Sequence, residues 1–195
     1  MNRAPSILAL AGSTREDSFN KRLVRIAAQG AREAGAEVSV IDLRDFPLPL
    51  FDEDLEAESG KPENAKQLKR LMIESDGLLI ASPEYNSSIT GVLKNAIDWV
   101  SRPDEGEDAF ALTAFRGKVV VIMSASPGGL GGLRGLVHVR SILGNLGCIV
   151  LPDQIAVSKA HQAFDSDGKL SDDKQQARVT GLGRTLAETA AKLLG

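Results

Sequence analysis

The sequence predicts an open α/β fold, a three-layer sandwich in which helices cover both faces of a five-stranded parallel sheet. Three observations carry that prediction. Apolar runs of strand length alternate with segments of helical periodicity along the whole chain. The runs at residues 6–11, 77–81 and 119–124 are almost continuously apolar, as in strands buried on both faces, so right-handed crossover helices must join them. Two polar loops, at residues 12–20 and 82–88, each follow such a run and precede a helical pattern.

Ser6 to Ala11 is the first strand, and Leu23, Ile26, Ala27, Gly30, Ala31 and Ala34 recur at helical spacing until Gly35 provides a stop. Glu37 to Asp42 is the second strand. The segment from Phe46 through Pro47, Pro49 and Phe51 to Gly60 is a long connection, too proline-rich for a central strand. A helix from near Pro62 aligns Ala65, Leu68, Leu71 and Met72, and Gly77 to Ala81 is strand three. Val92, Leu93, Ala96, Ile97 and Val100 mark the next helix, and a polar loop runs from Arg102 to about Arg116. Strand four is Val119 to Ser124. A glycine-rich loop then leads into a helix through Leu133, Leu136, Val137, Arg140 and Leu143. Strand five lies near Ile149 to Leu151, and a final helix runs from about Asp172 to Leu194. The strand order 2-1-3-4-5 fits this count, and it places the topological switch point between strands one and three, whose carboxyl ends carry the two polar loops.

Composition narrows the function. A chain of 195 residues with ordinary apolar and charged fractions reads as one domain over 1–195. The formal net charge of −3, without a basic cluster, argues against nucleic acid or an anionic membrane as partner. The amino terminus lacks a signal-peptide pattern and no apolar run approaches ~18 residues, so the expected location is the cytoplasm. Cys148 is the only cysteine; it begins an apolar run and reads as a small core residue. His138 and His161 lack a partner at metal-ligand spacing, so no metal site is expected.

The first polar loop, Gly12-Ser13-Thr14-Arg15-Glu16-Asp17-Ser18-Phe19-Asn20, offers hydroxyls, an amide and one arginine at a helix amino terminus, the composition of a phosphate site. Read blandly, it is a helix cap supplied by Asp17 or Ser18. The second, Ser82-Pro83-Glu84-Tyr85-Asn86-Ser87-Ser88, sets backbone groups, an amide and a phenol beside a rigid proline, suited to a flat heterocycle. Gly128, Gly129, Gly131 and Gly132 permit close backbone approach to a ring, or form a flexible turn. Neither G-x-G-x-x-G after strand one, nor G-x-x-x-x-G-K-[ST], nor G-x-S-x-G is present. A mononucleotide with a ring system at its far end fits the pair of loops.

These motifs, with Gly91-Val92-Leu93-Lys94-Asn95-Ala96-Ile97-Asp98-Trp99, Leu48-Pro49-Leu50-Phe51-Asp52, and Ala160-His161 followed by Ala163-Phe164-Asp165, resemble the NAD(P)H-dependent FMN reductase family. The resemblance spans nearly the whole chain. It implies a flavodoxin-like fold, FMN as cofactor, and NADPH or NADH as cosubstrate. It implies that Ser13, Arg15, Ser18, Phe19 and Asn20 hold the phosphate and ribityl chain. Pro83, Glu84, Tyr85 and Asn86 would line the isoalloxazine, while Ser124, Pro127, Gly128 and Gly129 approach its other edge. No side chain is assigned a catalytic role, because hydride chemistry belongs to the flavin. The implied acceptor is a small molecule: a quinone, free flavin, azo compound or oxidised metal ion such as chromate. A noncatalytic electron carrier and a mononucleotide-binding regulatory module stand as alternatives. The family is typically dimeric or tetrameric. On a helical wheel the apolar arc of residues 92–100 spans roughly 160°, with Trp99 at its margin, where it borders a subunit contact or closes the domain's own core.

Overall fold

A computed structural model describes residues 3–195. It contains β1 (Ser6–Ala11), α1 (Phe19–Glu33), β2 (Glu37–Asp42), a 3-10 turn (Leu43–Asp45), α2 (Glu53–Ser59), α3 (Glu63–Ile73), β3 (Gly77–Ala81) and α4 (Gly91–Ser101). These are followed by β4 (Val119–Ala125), α5 (Leu133–Asn145), β5 (Ile149–Val150), β6 (Ile155–Val157), α6 (Ala160–Ala163) and α7 (Asp173–Leu193). The strands are parallel in the order β2-β1-β3-β4-β5, as the alternation of strand and helix predicts. The fifth strand is divided: β5 pairs with the start of β4 and β6 with its end. Leu151 still donates to the Val120 carbonyl at 2.9 Å, but Pro152 has no N–H with which to continue the ladder. Arg140 spans the resulting arch, donating to the Val150 carbonyl at 3.2 Å and to Gln154 Oε1 at 2.9 Å.

Alternate side chains of the central strands feed two cores. Ile7, Ala9, Leu79, Val121 and Met123 face α1 and α7, whereas Leu8, Leu10, Leu78, Ile80, Val120 and Ile122 face α3, α4 and α5. α1 and α7 meet backbone to backbone: a Cβ added to Gly183 would stand 1.8 Å from the Ala27 carbonyl oxygen, and one on Gly30 would stand 2.0 Å from that of Thr180. This contact fixes the helix whose amino end borders the site.

Two expectations need correction. The connection after β2 contains α2, which buries no residue and therefore shows no periodic face. Its signal is a cap, since the Asp52 carboxylate accepts from the Asp54 and Leu55 N–H groups ahead of an acidic first turn. The second concerns Trp99: of its two readings, closure of the domain's own core is the one the structure shows. It is fully buried in its own chain, donates its indole N–H to the Pro49 carbonyl at 2.8 Å, and meets the Phe51 ring edge-on at 5.0 Å. The Asn95 amide completes the seam, accepting from Phe51 N–H and donating to Pro49, each at 2.8 Å. The proline-rich segment is thus a strap sewn onto α4. Lys69, buried under the loop after α4, ties that loop down by donating to the Arg102 carbonyl at 2.9 Å and pairing with Glu107.

Candidate active site

At the carboxyl edge of the sheet, a cleft of about 270 Å³ opens between the loops after β1, β3 and β4. Ser13, Arg15, Ser18, Phe19 and Asn20 form one wall; Pro83, Glu84, Tyr85, Ala125, Ser126 and Pro127 form the rest. The first wall leaves β1 at Gly12, which is squeezed between strand and helix. Its N–H donates to the Ala81 carbonyl at 2.9 Å, its carbonyl accepts from Thr90 Oγ1 at 2.7 Å, and an added Cβ would lie 2.9 Å from Leu93. Ser18 occupies the N-cap position of α1, yet its side chain makes no capping bond. The N–H groups of Phe19 and Asn20 have no acceptor among the described residues, so the positive end of the helix faces the cleft unsatisfied. The cap reading of this loop thus gives the cap position, Ser18, but not a capping bond.

Arg15 has no carboxylate within ion-pairing distance among the described residues; its guanidinium lies over the Phe19 ring, 5.3 Å from the centroid. Asn20 plays a different part. Its amide accepts from Ala125 N–H at 2.9 Å and donates to the Ala125 carbonyl at 2.8 Å, pinning the first turn of α1 to the end of β4. With both polar atoms so engaged, Asn20 offers a ligand its backbone N–H rather than its side chain.

The opposite wall is a tight turn. Tyr85 and Ser88 exchange two backbone hydrogen bonds of 3.1 and 3.0 Å around Asn86 and Ser87, both at positive φ of 51° and 67°. Positive φ at both central positions is the type I′ geometry. Ser88 Oγ bonds His138 Nδ1 at 2.7 Å, and Tyr85 remains exposed. Glu84 is half-buried and faces α5: Oε1 takes the Arg134 guanidinium at 2.9 and 2.5 Å, and Oε2 accepts from Gly135 N–H at 3.0 Å. Burial pushes this carboxyl up, but the Arg134 hydrogen bond and the Gly135 N–H outweigh it and hold the group below its ordinary range. An ionised, fully engaged carboxylate is a strut for the turn and a poor proton donor.

A family model described as NADPH-dependent FMN reductase matches residues 5–162. The chain belongs to the NADPH-dependent FMN reductase family. It is 37% identical over 174 residues to an NAD(P)H-dependent FMN reductase of Pseudomonas aeruginosa, covering 89% of this chain and 88% of that protein. It is 35% identical to an NAD(P)H:quinone oxidoreductase of Solanum tuberosum, covering 97% of this chain and 94% of the relative. Among solved structures, the flavoenzyme NAD(P)H:(acceptor) oxidoreductase FerB of Paracoccus denitrificans superposes with a TM-score of 0.79 at 26% identity, covering 96% of this chain and 98% of that one.

FMN, the cofactor of an FMN reductase, suits the donors in this cleft. An uncapped helix terminus, two free backbone N–H groups, the hydroxyls of Ser13 and Ser18, and an unpaired guanidinium make a phosphate-type set. Four residues expected at the ring lie elsewhere. Asn86 sits at the tip of the turn without lining the cleft, and Gly128 and Gly129 lie beyond Pro127, where an added Cβ would meet Ser126 Oγ at 3.6 Å on Gly128 and nothing within 4 Å on Gly129. Ser124 lies on the other face of β4, fully buried beneath Gly132, its hydroxyl without a hydrogen-bond partner among the described residues. The strand's period of two is the reason: if Ser124 faces α5, then Ala125 faces the α1 side, and Ala125 and Ser126 are the residues that line the cleft. Cys148 takes no part; its thiol donates to the Phe115 carbonyl at 3.3 Å and burial pushes it up to about 12, against the pull of Lys118. Among the described residues no group of three or more His, Cys, Asp or Glu side chains converges as metal ligands, and no helix is long and apolar enough to cross a membrane.

Proposed function

We propose that this reductase passes hydride from NADPH or NADH through FMN to a small acceptor, a quinone or free flavin first, with azo compounds and chromate as further candidates. The observation that carries the reading is the placement of a phosphate-type donor set and a ring-sized slot on facing walls of one cleft at the switch point. FMN, when bound, supplies the redox chemistry; the protein supplies position and electrostatics. Ser13, Ser18, Arg15 and the free N–H groups of α1 would take the phosphate, and Phe19 would flank the ribityl chain. Pro83, Tyr85, Ser126 and Pro127 would bound the ring. Glu84 holds the turn in place through Arg134 and does not move a proton. The exposure of Tyr85 leaves the outer side of the slot open to exchange of nicotinamide and acceptor, so double-displacement kinetics are expected.

The same reading makes the working unit a cytoplasmic homodimer or homotetramer of single-domain subunits. Leu130, Leu133 and Val137 support it, since they expose an apolar stripe at the start of α5, the helix that holds Glu84 and Ser88. Sedimentation of wild type should give a dimer or tetramer, and Val137→Glu should shift it toward monomer. A wild-type monomer at micromolar concentration would refute the assembly. The function is tested by anaerobic titration of the FMN-loaded protein with NADPH and with NADH. At least one should bleach the flavin absorbance, and added quinone should restore it. Yellow protein that neither nucleotide bleaches would instead be an electron carrier.

A further inference from the structure

We propose that Phe164, which lies outside the residues 5–162 matched by the family model, is a positioning residue for FMN phosphate and acts through Phe19 and Arg15. The proposal rests on the reading that Arg15 meets that phosphate. Arg15 is followed by Glu16 and Asp17, either of which could neutralise it, yet the guanidinium is held by the Phe19 ring. The difference matters chemically. A carboxylate would consume the charge and the N–H donors together, whereas a ring takes up one flat face and leaves the in-plane donors free for an anion. The Phe19 ring is itself stacked on Phe164, with centroids 5.9 Å apart and planes 9° from parallel.

Phe164 is presented by a firmly built prop. It forms an antiparallel bridge with Leu170, which is buried in the α1–α7 core. Between them Asp165 N–H donates to the Lys169 carbonyl at 2.9 Å, and the Asp165 carboxylate accepts from Asp167 and Lys169 N–H at 3.0 and 2.8 Å. Below, Ser171 N–H reaches the Ala163 carbonyl at 2.9 Å and Leu170 N–H reaches Gln176 Oε1 at 3.0 Å. The start of α6 is tied to the third loop of the cleft, where Ala160 N–H donates to the Ser126 carbonyl at 3.0 Å. One segment therefore sets two walls: its backbone holds Ser126, and its aromatic ring fixes the rotamer on which Arg15 rests.

The test compares FMN and riboflavin binding to apoprotein, by quenching of flavin fluorescence, for wild type, Arg15→Ala, Phe164→Ala, Phe164→Leu, Phe164→Tyr and Arg15→Ala/Phe164→Ala. Phe164→Ala should weaken FMN by roughly three- to tenfold and leave riboflavin unchanged. Phe164→Leu, which keeps an apolar filler but no ring, should do the same, and it carries the test if the alanine variant does not fold. Phe164→Tyr should restore the wild-type ratio. Adding Phe164→Ala to Arg15→Ala should not change the FMN-to-riboflavin ratio further. Equal losses for both flavins, an unchanged FMN affinity, or full rescue by leucine would overturn the proposal alone, provided Arg15→Ala separates the two flavins. If Arg15→Ala does not separate them, the phosphate reading falls and the proposal falls with it.

Discussion

On the α1 side of the cleft the backbone is wedged in place: Gly12 fills the gap to α4, Asn20 bolts the helix start to β4, and glycines seat α1 directly on α7. On the far side, by contrast, a two-residue turn at positive φ is held from outside by a Glu84–Arg134 pair and a Ser88–His138 bond, and Tyr85 stays exposed. The first wall loses little entropy when it meets a ligand, because its donors are already fixed. The second can admit and release flat molecules. A bound cofactor and a changing pair of substrates call for that division.

The largest expected effect breaks the wedged side. Gly183→Val has no space against the Ala27 carbonyl and should cost more than about 3 kcal/mol, seen as a large fall in the urea midpoint and loss of flavin binding. A fall no larger than that of an exposed-site variant would mean that α1 and α7 are not so closely seated. Next comes Trp99→Glu, which buries a charge beneath the strap and removes the bond to Pro49. It should cost several kcal/mol in stability. Loss of the assembly with unchanged thermal stability would place Trp99 at an interface after all.

The glycine-rich loop divides in the same manner. Gly132, at φ 90° with Ser124 Oγ 1.9 Å from any added Cβ, should lose about 1–3 kcal/mol as Gly132→Ala. Gly128→Ala, with only Ser126 Oγ at 3.6 Å, should fall within about 0.5 kcal/mol of wild type. Comparable losses in the two variants would contradict the packing. The smallest effect concerns Glu84. Its carboxyl sits below its ordinary range in the folded protein, so the stability it adds is fully present above its unfolded value near 4.3 and is lost as pH falls through the lower folded value. The thermal midpoints of wild type and Glu84→Gln should differ at neutral pH and converge as pH falls below that unfolded value. A gap that persists at acid pH would mean the carboxylate's charge does not hold the turn.

Much of this was legible because buried parallel strands and their crossover helices leave strong periodic signals. The carboxyl-edge loops after β1 and β3 could be found for the same reason, and Ser13, Arg15, Ser18, Phe19, Pro83 and Tyr85 do meet in one cleft. What escaped was set by contacts distant in sequence. No local pattern says that Asn20 spends its amide on Ala125, 105 residues away, or that Glu84 finds Arg134. Whether Ser124 or Ala125 faces the cleft turns on the phase of a strand that is apolar on both sides. α2 escaped because it packs nothing, and Trp99 because an arc of apolar residues does not reveal whether a strap from its own chain or another subunit covers it.

The central claim is that the wedged wall is a phosphate site, and the most direct measurement is the affinity of wild-type apoprotein for FMN against riboflavin, which differ only in that group. A guanidinium and free N–H donors should make FMN bind at least about tenfold more tightly, with the preference shrinking as salt is added. Equal affinities for the two flavins would contradict the account.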